Sequence, residues 1–316
     1  MDERKTTVLN LTDEEFVYPG NRACSGCGLN ILYKIGLKAI GRDAILVVPP
    51  SCLTVMQGLY PITSTQLSVL NVAFASTAAA ASGVKAALRA QHNDHTQVVA
   101  WAGDGGTSDI GIQALSGAIE RGEDFLYICY DNEGYMNTGV QRSGTTPRGA
   151  LTANTSISGK HERGKDIPGI IAAHSPAYVA TCSAAFPMDF HDKIKKALRL
   201  RGLKYIHAHT PCPPGWQMEE RVAVAIGRLA VNTGLYVLYE IENGAMTLSE
   251  PSAKLLKKKD LLPVRDYLAA QGRFRALSTE AIEALQQEVD AKWAAYRRQA
   301  MSPPPNATDD LVEPRH

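Results

Sequence analysis

Six short runs rich in β-branched and aromatic residues recur along the chain, at 44–48, 98–101, 125–131, 178–182, 205–209 and 235–241. Between and around them lie stretches of helical character, at 30–40, 73–90, 110–121, 189–201 and 219–232. A strand followed by a helix and then another strand returns to the same end of a sheet, so this alternation calls for parallel pairing with helices on both faces. The expected fold is α/β, a doubly wound, mostly parallel sheet. The topology also says where chemistry can sit, because open parallel sheets bind ligands beyond the carboxyl ends of their strands. The residues just past each run are therefore the candidates.

The pattern shifts after Pro251, to a Lys-rich stretch, a long amphipathic helix at 278–298 and a Pro-rich tail. The expected division is a main domain of residues 1–250 and a C-terminal helical extension of residues 251–316. Residues 139–165, rich in Gly, Ser, Thr and Arg, are too many for an ordinary connection and read as a functional loop. A net charge of +1 gives no general electrostatic reason to expect nucleic acid or a membrane surface as partner. The first residues are charged with no apolar run behind them, so no secretory signal is expected. The most apolar stretch, 72–84, carries Ser76, Thr77 and Ser82 and then meets Lys85, which suits a buried Ala-rich helix better than a membrane span. A cytoplasmic location is expected, and a reducing cytoplasm argues against disulfides.

The cysteines then point to metal or to chemistry. Cys24 and Cys27 form a single CxxC in "NRACSGCG". Cys52 follows the first strand in "VVPPSC", and Cys212 follows the fifth in "HAHTPCPPGW", so both belong to the ligand-binding edge. Cys129 and Cys182 fall inside strands and read as packing residues. Four thiols from three segments suit a tetrahedral zinc or a [4Fe–4S] cluster. A redox dithiol fits less well, because its CxxC should lie between a strand and a helix in a smaller unit. Spacing alone leaves zinc and cluster open.

A second set of candidates lies on the same edge. "WAGDGGTSDIG" follows the second strand and "YDNEGYMNTGVQ" ends the third, with Asn132 twenty-eight residues after Asp104. Mg²⁺ prefers oxygen ligands, and Asp104, Asn132 and the Gly134 carbonyl offer a carboxylate, an amide and a backbone oxygen. Gly103, Gly105 and Gly106 let the backbone approach a diphosphate, and a helix beginning near Asp109 would point its positive end there. Plainer readings exist. Asp104 suits a helix cap, and Asn132 and Asn137 suit turns. His207 and His209 read as packing or solvent-facing, Trp216 as loop packing, and Lys257, Lys258 and Lys259 as a solvated face or a dock for an acidic partner domain.

The pairing of GDG with an Asn-bearing second loop resembles the metal–diphosphate motif of thiamine-diphosphate-dependent enzymes. Together with "CSGCG", "SC", "MNTGVQRSGTTP" and "HTPCPPGW", it resembles the β subunit of the 2-oxoacid:ferredoxin oxidoreductases, from residue 18 to residue 217. The resemblance implies the pyrophosphate-type domain of such enzymes. It further implies that Cys24, Cys27, Cys52 and Cys212 hold a [4Fe–4S] cluster, that Asp104, Asn132 and Gly134 hold Mg²⁺ beneath thiamine diphosphate, and that Asn137 faces the substrate carboxylate. It breaks the tie between zinc and cluster.

By the same resemblance the cofactor acts as an electron sink during loss of CO₂ from a 2-oxoacid, and the cluster carries the electrons away toward ferredoxin. The substrate it implies is pyruvate, with oxalate as competitor. The glutamate that activates the cofactor belongs in this family to an α-type subunit, so the chain is expected to hold half an active site. A γ- or δ-type chain with ferredoxin-like clusters is expected as the outlet. Two rivals stand beside this reading: a non-redox carboligase or decarboxylase with structural zinc, and a non-catalytic electron-transfer subunit that binds no thiamine diphosphate.

Overall fold

The computed structural model describes residues 6–257 and 261–301. Among them eight strands form one sheet: β1 (Ala44–Val48), β2 (Ser68–Asn71), β3 (Gln97–Gly103), β4 (Leu126–Asp131), β5 (Tyr178–Ser183), β6 (Lys204–His209), β7 (Tyr239–Glu242) and β8 (Ala245–Leu248). Their order is β2-β1-β3-β4-β6-β5-β7-β8. The first six neighbours pair in parallel. β7 and β8 add an antiparallel hairpin at the β5 edge. From β1 the chain runs outward to β2, then returns across β1 to place β3 on its other side. That reversal opens a crevice beyond the ends of β1 and β3, where ligands bind in folds of this type.

β4, β5 and β6 are buried along their whole length, as central strands covered on both faces must be. One face is covered by α1 (Gly28–Ile40), α2 (Cys52–Gln57) and α6 (Pro187–Ala197), around Tyr33, Trp101 and Phe190. The other is covered by α3 (Thr77–Ala90), α4 (Ile112–Glu120) and α5 (Ile167–Ala172), around Leu115, Tyr127 and Tyr205. A third core gathers α7 (Pro213–Trp216), α8 (Ala223–Asn232), α9 (Glu250–Leu256), α10 (Val264–Ala269) and α11 (Thr279–Met301). In it Trp216 and Ile226 share one cluster with Leu255, Phe274 and Trp293, so the residues after 250 pack directly on those before. Met1–Lys5, Lys258 and Lys259, and the Pro-rich tail lie outside the described residues, and Lys257 is exposed.

The expected strands are all present except that the last run is shorter and displaced. Tyr236 and Val237 turn into the third core, and only Tyr239–Glu242 pairs. β2 escaped the pattern because Ser68–Asn71 is a largely exposed edge strand with little apolar alternation to read. The helix expected near Asp109 starts instead as a wide turn, Gly106–Ile110, before α4.

Helix α1 lies close to the sheet at Gly36. A Cβ there would sit 2.6 Å from the Trp101 ring. Gly36→Val should therefore overpack the core and cost about 1–3 kcal/mol. The check is urea unfolding, with a lowered midpoint and an unchanged slope.

Candidate active site

A cavity of about 290 Å³ occupies the crevice between β1 and β3. Cys52, Gly103, Asp104, Gly105, Gly106, Asn132, Gly134 and Asn137 all line it. Eight residues singled out from the sequence thus meet around one space. Gly105 is flush with an aromatic wall, since a Cβ there would fall 2.4 Å from the Tyr135 ring. Phe74 stands beside Tyr135 with ring centroids 6.1 Å apart. Asp109 turns away from the cavity and anchors the long loop, accepting from Tyr135 Oη at 2.9 Å, Gly144 N at 2.9 Å and Lys165 Nζ at 2.8 Å.

The end of the Asn132 amide that faces inward lies 2.9 Å from the Gly134 carbonyl oxygen and 3.0 Å from Asp104 Oδ1. With nitrogen in that place, the amide donates to both. With oxygen in that place, three oxygens converge with no proton between them, which only a cation makes favourable. Mg²⁺ with ligands at about 2.0–2.1 Å sets neighbouring oxygens of its octahedron about 3 Å apart. The three atoms fit such an ion by type and by spacing.

Behind them stands a second carboxylate. Thr145 Oγ1 lies 3.0 Å from Asp104 Oδ2 and 2.8 Å from Asp131 Oδ1. Asp131 also accepts from the Glu133 N–H at 2.8 Å and pairs with His207 Nε2 at 2.8 Å. His207 Nδ1 meets Tyr205 Oη at 2.7 Å. Burial, and then the charge of Asp131, hold the Asp104 carboxyl well above the usual carboxylate range. Burial works in the same direction on Asp131, but the bond to His207, its charge, and the Thr145 and Glu133 hydrogen bonds together outweigh it and the carboxyl falls below that range. His207 is raised in turn: burial opposes its charge, and Cys129 and Asp131 more than compensate. Asp131 and His207 are therefore an ion pair, and Asp104 lacks a cation of its own.

The CxxC turn precedes α1 and docks on the Cys212 loop through the Gly28 N–H and the Pro211 carbonyl, 3.1 Å apart. Cys24 is exposed, Cys27, Cys52 and Cys212 are half-buried, and Cys129 and Cys182 are buried. Backbone N–H groups reach three thiols: Leu29 and Asn30 that of Cys27, Asn137 that of Cys52, and Gly215 that of Cys212. Burial, and then the neighbouring cysteines, push Cys52 up to about 12, and burial does the same for Cys212. The four thiols thus form one electrostatic neighbourhood. Among the described residues no three His, Cys, Asp or Glu side chains close in on a single ion. A tetrahedral zinc with Zn–S of about 2.3 Å needs thiolates about 3.8 Å apart, whereas a cubane holds its four around a larger body.

Residues 51–208 match the family described as thiamine pyrophosphate enzyme, C-terminal TPP binding domain. Pyruvate synthase subunit PorB of Methanothermobacter thermautotrophicus is 46% identical over 288 residues, covering 90% of this chain and 98% of that protein. Ketoisovalerate oxidoreductase subunit VorB of Pyrococcus abyssi is 43% identical over 301 residues, covering 92% and 96%. The chain belongs to the β-subunit family of the 2-oxoacid:ferredoxin oxidoreductases. A solved structure, the 2-oxoglutarate:ferredoxin oxidoreductase from Magnetococcus marinus, aligns with a TM-score of 0.56 at 19% identity, over 69% of this chain and 82% of that one, and agrees in fold. Among the described residues no helix is long and apolar enough to cross a membrane.

Four residues of this oxidoreductase β chain escaped the motif reading as site residues. Asp131 precedes Asn132 and was read only as a strand end. Thr145 sits in "SGTTP", fourteen residues further on, with no local signal of its role. His207, expected to pack or face solvent, is buried and ion-paired. Trp216, expected as loop packing, donates its indole N–H to the Asn132 carbonyl at 2.8 Å and carries the Arg273 guanidinium 3.9 Å above its ring. Arg273 reaches Glu133 at 2.5 Å, which brings the C-terminal region to the Asn132 loop.

His209 is stacked on Tyr236 with centroids 4.7 Å apart, and burial depresses its imidazole to about 3. Below pH 6.5 the unfolded chain takes up a proton here that the folded chain refuses, so the neutral ring's stabilisation is lost as the pH falls. His209→Phe should flatten the decline in stability between pH 6.5 and 5, by up to about 1.4 kcal/mol per pH unit. Denaturant unfolding at those two values measures it.

Proposed function

We propose that this chain is the thiamine-diphosphate- and [4Fe–4S]-carrying β subunit of a 2-oxoacid:ferredoxin oxidoreductase. The observation that carries the reading is one cavity wall shared by Cys52, Asp104 and Asn132, a thiol and a metal–diphosphate set on the same sheet edge. Thiamine diphosphate, when bound, supplies the electron sink for decarboxylation of a 2-oxoacid. Asp104, Asn132 and the Gly134 carbonyl hold Mg²⁺, and Gly103, Gly105 and Gly106 admit the diphosphate. Cys24, Cys27, Cys52 and Cys212 hold the cluster, with the N–H groups around three of them supplying the hydrogen bonds that ligated thiolates accept.

Asn137 is exposed at the cavity wall while its backbone N–H serves Cys52. Its side chain donates to the substrate carboxylate without adding negative charge. A cavity open to solvent and lacking an opposing acid for the aminopyrimidine ring calls for an α-type subunit to complete it. A chain with ferredoxin-like clusters, of γ or δ type, then carries the electrons to ferredoxin in the cytoplasm. Pyruvate is the first substrate to try, given the pyruvate synthase relatives, with ketoisovalerate second and oxalate third.

The test is viologen reduction by the purified complex with each of these acids, with and without coenzyme A. Turnover of none of them, in a complex that retains thiamine diphosphate, would refute the activity. Within that complex Cys212→Ala should lose iron and Cys129→Ala should not. Full iron in the Cys212 variant would refute the ligand set. Asp104→Ala should lose thiamine diphosphate while keeping the fold, read as thiamine content against circular dichroism. Asn137→Ala should keep both cofactors and lose turnover.

A further inference from the structure

The side chain of Met136 runs through a slot between Gly134 of its own loop and Gly215 of α7, neither of which has a side chain there. A Cβ on Gly215 would fall 2.2 Å from Met136 Sδ and 2.9 Å from its Cε. A Cβ on Gly134 would fall 2.9 Å from the same Cε. The slot therefore exists only because residues 134 and 215, eighty-one positions apart, are both glycine. The point that lies 2.2 Å from Met136 Sδ lies 3.2 Å from Cys212 Sγ, so the two sulfurs are neighbours. Met136 also lines the cofactor cavity, while Cys212 does not. Its thioether thus fills the space between the cavity and the Cys212 thiol.

We propose that Met136 is a positioning residue that covers the Cys212 side of the iron–sulfur cluster against the cofactor cavity. The proposal rests on the cluster reading above and adds a residue to it. An unbranched, flexible thioether fits an irregular gap that a branched side chain fills less completely, and it brings no strong hydrogen-bond donor. It keeps water and substrate off the Cys212 side of the cluster while leaving cofactor and cluster close enough to exchange electrons. Solvent exposure is one of the factors that set the potential of such a cluster. A four-thiolate cluster grows more negative on reduction, so water admitted beside it favours the reduced form and moves the midpoint upward.

The experiment uses the complete hetero-oligomeric complex, carrying wild-type chain, Met136→Ala, Met136→Leu or Gly215→Ala. The Cys212→Ala complex marks the iron that belongs to this site. Two quantities are read: the midpoint of that cluster by redox titration with electron paramagnetic resonance, and its rate of bleaching by a ferrous chelator. Met136→Ala should move the midpoint upward and bleach several-fold faster, and Met136→Leu should restore both toward wild type. Gly215→Ala leaves Met136 in place in the sequence but closes its slot, and should shift both quantities as Met136→Ala does.

Loss of iron from Met136→Ala with retention in Met136→Leu supports the seal as well. Equal damage in the Leu and Ala variants overturns it in favour of general packing. A wild-type-like midpoint and bleaching rate in Met136→Ala also overturn it, while the cluster reading stands. Wild-type complex with no more iron than Cys212→Ala would remove the cluster itself, a distinct outcome.

Discussion

A single hydroxyl hydrogen governs the carboxyl edge of this sheet. Thr145 stands between the Asp104 and Asp131 carboxylates, and its one proton can serve only one of them at a time. Two buried carboxylates so close cannot both stay ionised without compensation. His207 supplies it for Asp131 from the neighbouring strand, where β4 and β6 run in register and bring Asp131 opposite His209 and Cys129 opposite His207. Asp104 receives no such partner. Beside it lie the Asn132 amide and the Gly134 carbonyl, and burial next to Asp131 holds its carboxyl well above the usual carboxylate range. The parallel pairing, the long loop that delivers Thr145 and the helical turn that follows Asp104 all serve this arrangement of charge.

The loop from Asp131 to Asn137 carries more connections than its length suggests. It sets the Gly134 oxygen and the Asn132 amide beside Asp104, Met136 in the gap beside Cys212, and the Asn137 N–H on Cys52. Glu133 within it holds the left-handed conformation, φ 65°, that a non-glycine residue adopts only when its surroundings fix it. The Arg273 guanidinium binds the Glu133 carboxylate and lies over the face of Trp216. Buried charge is costly unless paired, and here the pairing ties the C-terminal helices to the site.

Much of this was legible because strand ends are marked in sequence and ligands gather there. Gly103-Asp104-Gly105, Asn132 and Cys52 could be placed on one edge from the alternation alone, and the structure sets them around one cavity. What stayed illegible is what depends on tertiary partners. Nothing local distinguishes Thr145 from Thr146, yet one bridges the aspartates and the other binds the Glu133 carbonyl. His207 alternates with Tyr205 and His209 along a strand, and a parallel strand buried on both faces gives its residues no polar side to declare a role. Arg273 lies in a region read as an extension, and its reach to Glu133 comes from the fold of the third core, not from any spacing.

The indole of Trp216 has an optical consequence. The chain contains three tryptophans, all fully buried. Trp101 sits in the sheet core against Tyr33 and Phe190, and Trp293 is bonded to the Gly234 carbonyl, both away from the cavity. Trp216 alone is hydrogen-bonded to the peptide unit that bears the Asn132 amide, with a guanidinium over its ring and the cysteine loop at its back. Indole emission responds to charge along the ring and to nearby quenchers, so this one ring reports on the loop's electrostatics while its two companions provide a constant background. The protein thus carries a built-in fluorophore wired to the loop that lines its cavity.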